Sequence, residues 1–202
     1  MNITMHHFFI PRESFAGDNV SITVEAAYQI TRVLRLKPGD HIIVLDDTGW
    51  EYETTIESIT RDTVQGKVVR KEPGAGEPKI KMTLYQALLK TDKFEFVLQK
   101  GVELGITGFV PFVSERCIVR KPSESRIERW HTIIREAAEQ SRRARLSELH
   151  PVVSLTEACE QANQPALILW EGEKSQSLAA TLKSAPFHKT QAFNIFVGPE
   201  GG

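Results

Sequence analysis

The chain is poor in cysteine, has no long apolar run and is almost balanced in charge. Its 202 residues include two cysteines, Cys117 and Cys159, with no CxxC pair and no His/Cys grouping. That excludes a disulfide framework or a zinc-ligand pattern and fits a reducing compartment. Both thiols are therefore expected to be small buried apolar residues, and no metal is expected. No stretch approaches the roughly 18 apolar residues of a membrane span, and residues 1–7 lack the apolar core of a signal peptide. The expected location is the cytoplasm, with no membrane partner. No GxGxxG follows an early strand and there is no Walker loop, which argues against dinucleotide and P-loop enzymes. A net charge of -1 excludes a wholesale polyanion binder. It leaves room for a local basic patch, because phosphate contact needs clustered charge rather than a basic average.

What is present divides in two. Residues 7–10 and 20–23 read as short strands, and Ala26, Ala27, Ile30, Val33 and Leu34 recur at helical spacing over residues 25–34. Lys37-Pro38-Gly39-Asp40 is a turn, followed by strands over 41–46, 50–59 and 64–70. One helix among short strands predicts a small β-barrel over residues 1–72. Two prolines and two glycines within residues 72–78 then predict a linker, placed at 73–78. Beyond it, over 79–202, strands at 80–87, 108–113, 152–153, 166–170 and 193–197 alternate with helices. Asp92 is the expected cap of the first long helix, which ends at Gly105, and Ser123 or Ser125 that of the second. This alternation predicts a mostly parallel sheet covered by helices.

Two stretches carry chemistry. The last strand, 193–197, runs into Gly198-Pro199-Glu200-Gly201-Gly202. Ligands of open α/β sheets bind beyond the carboxyl ends of strands, and glycine lets the backbone approach them. The plainer reading is an ordinary glycine-rich turn after a buried strand. Leu169 and Glu171, at the end of a neighbouring strand, would face the same crevice. The second stretch is basic. Residues 116–145 hold nine Lys/Arg against four acids, ending in Arg142-Arg143-Ala144-Arg145. Arginine binds phosphate bidentately and stacks on bases. The alternative there is a solvated helix face.

The motifs His7-Phe8-Phe9-Ile10, residues 33–40 (VLRLKPGD), 99–106 (QKGVELGI) and 111–116 (PFVSER) keep one order along the chain with Glu128-Arg129-Trp130, 136–141 (EAAEQS) and 197–202 (VGPEGG). In this order the chain resembles the ribosomal RNA small-subunit methyltransferase E family of the SPOUT, or α/β-knot, methyltransferases. The resemblance implies a mixed α/β and β architecture: an N-terminal PUA-like RNA-binding β-barrel and a C-terminal α/β-knot methyltransferase domain that dimerises. It implies methylation of N3 of one uridine in 16S rRNA of the small ribosomal subunit, with S-adenosylmethionine (SAM) as methyl donor. In the family a turn like that at 198–202 is followed by roughly forty more residues. The knot is thus expected to be cut short at the C-terminus, and a chain ending at Gly202 is expected to bind SAM weakly or not at all. The family usually has glycine where this chain has Arg142, proline at Ser147, and arginine where this chain has His7.

The resemblance implies cofactor contacts at Gly198, Pro199, Glu200, Gly201 and Gly202, then Leu169 and Glu171. It implies catalytic or substrate roles for Arg143 and Arg145, with Glu139 beside them; Glu139 is equally an intrahelical partner of Arg135 or Arg143. RNA contacts are expected from Arg116, Arg120, Lys100, Arg142, Gln140 and Arg35. Lys90 and Glu103 match family positions, or are a solvated cap and a helix-surface charge. The competing function is a non-catalytic, ribosome-associated RNA-binding module.

Overall fold

The computed structural model describes residues 5–170 and 172–199, except for the side chains of Val24 and Thr91. The chain forms two compact units, Met1–Glu77 with Ala138–Leu146, and Pro78–Ala137 with Ser147–Gly202. The segment 138–146, assigned to the second domain by sequence, is therefore part of the first unit.

The first unit is built on β1 (His7–Phe9), β2 (Phe15–Ala16), β3 (Asn19–Thr23), β4 (His41–Leu45), β5 (Trp50–Ile59) and β6 (Thr63–Pro73). Their order is β1-β4-β5-β6-β3-β2; β1 and β4 are parallel and the other pairs antiparallel. Two register shifts between β5 and β6, at Glu53/Thr54 and Ile56/Ser58, bend the long hairpin, as bulges do. Alternate residues turn inward, so Val20, Ile22, Ile42, Val44, Ile56 and Val64 share a buried core with Phe8 and Ile10. Helix α1 (Val24–Tyr28) and the π-helical turn Gln29–Val33 contribute Ala27 and Ile30 to that core. The expected single helix over 25–34 thus widens halfway along. It closes with Leu36 N–H donating to Ile30 C=O at 3.0 Å around a left-handed Arg35 (φ 56°). Within the expected linker at 73–78, Pro73 is the last residue of β6, and Gly74 N–H donates to Gly49 C=O at 2.8 Å.

The second unit contains β7 (Lys81–Ala87), α2 (Thr91–Glu103), β8 (Gly108–Val113), α3 (Glu124–Gln140), β9 (Glu148–Leu149), β10 (Val153–Ser154), α4 (Leu155–Gln161), β11 (Ala166–Ile168), α5 (Leu178–Lys183) and β12 (Ala192–Val197). Every pairing is parallel, in the order β10-β8-β7-β12-β11 with β9 also on β8. Leu84 to Ala87 and Gly108 to Phe112 are buried without alternation, the pattern of strands covered on both faces. On the outer side of β8 the partner is broken into β9 and β10. Pro111 explains the break. Phe109 C=O accepts from His150 N–H on that side, so by the two-residue period Pro111 also faces it, and Pro111 has no N–H to donate.

Phe94, Leu98 and Val102 of α2 and Trp130, Ile133 and Ile134 of α3 are buried, with the Phe94 and Trp130 rings 4.4 Å apart. Tyr85 and Phe196, in register on β7 and β12, stack at 4.3 Å. Ser123 caps α3 by accepting from Arg126 N–H, and Ser154 and Glu157 form a reciprocal capping box on α4. The expected Asp92 cap is not formed. Lys90 is the N-cap and Asp92 sits inside the first turn, where an acid favours the helix dipole. Cys117 is buried, but Cys159 is exposed on α4, contrary to expectation.

Candidate nucleic-acid and cofactor sites

In the second unit all strands run the same way, so their carboxyl ends share one edge. Connections leave β7 toward β8, whereas β12 and β11 lie on its other side, and the order reverses between β7 and β12. Such a reversal opens a crevice for ligands. Gln86 is in register with Val197, Ala87 with Phe112 and Ile168 with Phe196, so the four strands end at nearly one level. Pairing continues one step beyond β11, where Leu169 N–H donates to Phe196 C=O at 3.1 Å.

Gly198 is exposed and Pro199 half-buried directly beyond β12. Leu169 and Trp170 are exposed beyond β11, Trp170 to 65%. They border a cavity of about 540 Å³ also lined by Ile168, Leu178, Thr181 and Phe187, a volume in the usual range for small-molecule sites. Glu171, Glu200, Gly201 and Gly202 lie outside the described residues. Beyond β7, Lys90 is exposed. Arg126 at the start of α3 donates from Nη2 to Leu89 C=O at 3.3 Å and lies 5.4 Å over the Trp130 ring. Sequence reasoning did not single out Arg126 or Trp170. A lone arginine in a basic run and a tryptophan after a strand carry no spacing signal.

Arg116 and Arg120 are exposed on the segment after β8. Lys100 pairs with Glu103 at 2.7 Å, a helix-surface pair that holds the Glu103 carboxyl below its usual range.

The arginine run lies in the first unit, and its members have different surroundings. Arg143 is 2% exposed, and its Nη2 is 3.2 Å from Glu77 Oε2. Glu77 Oε1 accepts from the amides of Ala144 and Arg145, both at 2.9 Å. Arg145 Nη2 donates to Thr48 C=O, and the guanidinium lies on Gly49, where a Cβ would come 2.9 Å from Nε. Leu146 N–H donates to Asp47 Oδ1 at 2.7 Å. Glu139 Oε1 accepts from Phe9 N–H at 2.9 Å, so this carboxylate binds β1. Gln140 and Arg35 are exposed.

Arg142 is also exposed, in the left-handed region at φ 58°. Its amide donates to Glu139 C=O and the Arg143 amide to Ala138 C=O at 2.9 Å, the paired bonds of a helix end that favours glycine. Arg142 is near enough to act on two groups. Burial, then the Arg142 cation, hold the His7 imidazole below its ordinary value. Burial pushes the Glu51 carboxyl up, against the amide of Ala75 and the Arg142 cation. Glu77 was missed by sequence reasoning because the glycine-proline stretch around it reads as linker and its partners lie 66 to 68 positions away.

The RNA methyltransferase domain profile matches residues 76–202, and the RNA methyltransferase PUA domain profile matches residues 30–69. Ribosomal RNA small subunit methyltransferase E of Bacillus subtilis is 33% identical over 191 residues, spanning 90% of this chain and 74% of that protein. The Synechocystis protein of the same name is 30% identical over 203 residues, spanning 99% of this chain and 65% of its own length. Among solved structures, ribosomal RNA small subunit methyltransferase E from Neisseria gonorrhoeae bound to S-adenosyl methionine superposes with a TM-score of 0.87 at 28% identity, covering 98% of this chain and 81% of that one. A Legionella pneumophila methyltransferase in complex with SAM gives 0.87 at 26%, covering 99% and 82%. A PUA-like barrel followed by a SPOUT-type α/β methyltransferase domain is thus the shared architecture, and the chain belongs to the ribosomal RNA small subunit methyltransferase E family.

Proposed function

We propose that this chain is a SAM-dependent rRNA methyltransferase that modifies N3 of a specific uridine in the 16S rRNA of the small ribosomal subunit. The observation that carries the reading is the edge where β7 and β12 end together, in a chain of this family. The residues at that edge fit the cofactor. Gly198 is exposed and has no Cβ to keep a ligand from its main chain, and Leu169 and Trp170 offer exposed apolar surface at the end of the neighbouring strand. Gly198, Pro199 and Leu169 would hold the cofactor, with Glu171, Glu200, Gly201 and Gly202 as the remaining candidates. SAM, when bound, supplies the methyl group from its sulfonium.

The rest of the work falls to the chain. Uridine N3 carries a proton at neutral pH and lies on the pairing edge, so the base must be exposed and its proton removed. A guanidinium beside O2 or O4 stabilises the resulting anion. Arg145 is the candidate for that contact. Arg143 and Glu139, engaged with Glu77 and Phe9, support the segment that carries it. Arg116, Arg120, Lys100, Arg142, Gln140 and Arg35 are the candidates for RNA contact. The reading includes a homodimer working in the cytoplasm; among the described residues no helix is long and apolar enough to cross a membrane.

The test is transfer of label from methyl-tritiated SAM to small ribosomal subunits, followed by digestion to nucleosides. The expected product is 3-methyluridine at one position. RNA binding without any transfer would replace this reading with the non-catalytic module.

A further inference from the structure

The run Arg142-Arg143-Ala144-Arg145 follows the helix end without an interleaved acid, yet its side chains are not equivalent. Glu77 engages three consecutive residues of it: Arg143 through the side chain, and Ala144 and Arg145 through their amides. The turn at 47–49 holds the far end, with Gly49 N–H donating to Ala144 C=O at 3.2 Å and Leu146 N–H to Asp47. Gly74 and Gly76 lie so close to the segment that an added Cβ would come 2.3 Å from Ala144 Cβ and from Arg142 C=O. The backbone from 142 to 146 is thereby fixed from two sides. Among the described residues no ion pair engages Arg142, whose side chain is exposed.

We infer that Glu77 is a positioning residue for RNA: its carboxylate fixes the 142–146 segment so that Arg142, rather than Arg143, is presented to a backbone phosphate. This rests on the rRNA methyltransferase reading above. A guanidinium on a fixed backbone loses less freedom on binding than one on a mobile loop. A carboxylate is suited to the task because one oxygen takes two amides while the other takes the buried cation, and neither competes for Arg142.

The experiment is filter binding of small-subunit rRNA across a salt series, with Arg142→Gln, Glu77→Gln, Glu77→Ala and the double variant Glu77→Ala/Arg142→Gln. Methyl transfer by the unmodified chain is measured in parallel. Loss of one phosphate contact should flatten the plot of log affinity against log salt by about 0.7 in Arg142→Gln. Glu77→Gln keeps an oxygen for the two amides and should fall between wild type and Glu77→Ala. The double variant should bind no more weakly than the weaker single variant, because Glu77 acts through Arg142. An unchanged salt slope in Arg142→Gln, with methyl transfer by wild type intact, overturns this inference alone. Independent, additive losses in the double variant also overturn it. Neither binding nor transfer by wild type overturns the function on which it rests. Arg142→Gln leaves Glu77 and its bonds in place, so the slope test stands even where Glu77→Ala does not fold.

Discussion

Gly105 and Arg142 occupy the same position in two copies of one helix-ending motif. Gly105 follows α2 at φ 93°, with its amide on Val102 C=O and the Ile106 amide on Gly101 C=O. Arg142 follows α3 at φ 58°, with its amide on Glu139 C=O and the Arg143 amide on Ala138 C=O. The motif needs a left-handed residue just past the helix, which glycine adopts without a Cβ clash. That is the physical reason a glycine would suit position 142, and it means that the arginine there sits against a backbone preference.

Exchanging the two residue types should therefore move stability in opposite directions. Arg142→Gly should stabilise the first unit by up to about 1 kcal/mol, and Gly105→Ala should destabilise the second by about 1 kcal/mol or more. Urea denaturation of each variant checks this. Arg142→Gly should at the same time bind small-subunit rRNA more weakly, so that stability and affinity change in opposite senses.

The Arg143–Glu77 pair makes a second prediction. Arg143 is almost wholly buried and Glu77 largely so, with side-chain exposures of 3% and 21%. Removing one partner of a buried pair leaves the other charge without compensation, which typically costs 3–5 kcal/mol. Glu77 retains some access to water, so Arg143→Ala is expected near the lower bound, about 3 kcal/mol. Arg145→Ala, whose side chain lies on the surface of the turn at 47–49, should lose about 1 kcal/mol. Equal losses from the two substitutions would show that burial does not distinguish them.

These pairings mark the limit of what the sequence discloses. Period and punctuation revealed β7, β8, β12 and the end of α2 at Gly105, because those signals are local. The same rules gave two units, since a glycine-proline stretch interrupts the rhythm at 72–78. They could not show that 138–146 folds with the first unit, because nothing local marks Glu77 as its partner. Nor could they show that Arg143 and Arg145 are tied into the fold, because a run of arginines reads as one positive patch until the acceptors are placed. β9 is two residues long and invisible to periodicity; Pro111 was the available hint that the strand beside it would be broken. The position of β12 between β7 and β11 is a matter of topology, which the pattern of elements leaves open.

Gly101 offers a test of packing inside the motif at 99–106. A Cβ there would meet the Phe109 ring at 2.7 Å, and Phe109 is 1% exposed, so the ring has little room to yield. Overpacking of this kind costs about 1–3 kcal/mol, against a gain of about 1 kcal/mol for alanine over glycine within a helix. Gly101→Ala should therefore be neutral to about 2 kcal/mol destabilising. A mid-helix glycine on an open face would instead be improved by alanine, so a clear rise in stability would show that the Phe109 ring moves aside.

His7 provides a dependence on pH. Burial, then the Arg142 cation, lower its pKa below the ordinary value of 6.5, with a smaller contribution of the same sign from His6 and an opposing one from a hydrogen bond to the Met5 backbone. Between the folded and unfolded values the unfolded chain holds a proton that the native chain does not, so stability rises with pH across that window. At pH above the unfolded value the imidazole is neutral in both states and the penalty vanishes. Acidification from about pH 7.5 to about pH 5.5 should accordingly lower the Tm, and His7→Asn should reduce that slope. Glu51 acts in the opposite sense: burial raises its carboxyl, so the native chain takes up a proton first as pH falls and gains stability. Asp46 is desolvated, yet hydrogen bonds from Thr48 and Tyr52 hold its carboxyl below the usual range, and its contribution is lost only in more acid solution. Arg142→Gly should return His7 toward its ordinary value and flatten the same slope without altering residue 7. If His7→Asn flattens the profile and Arg142→Gly leaves it steep, burial alone sets the histidine.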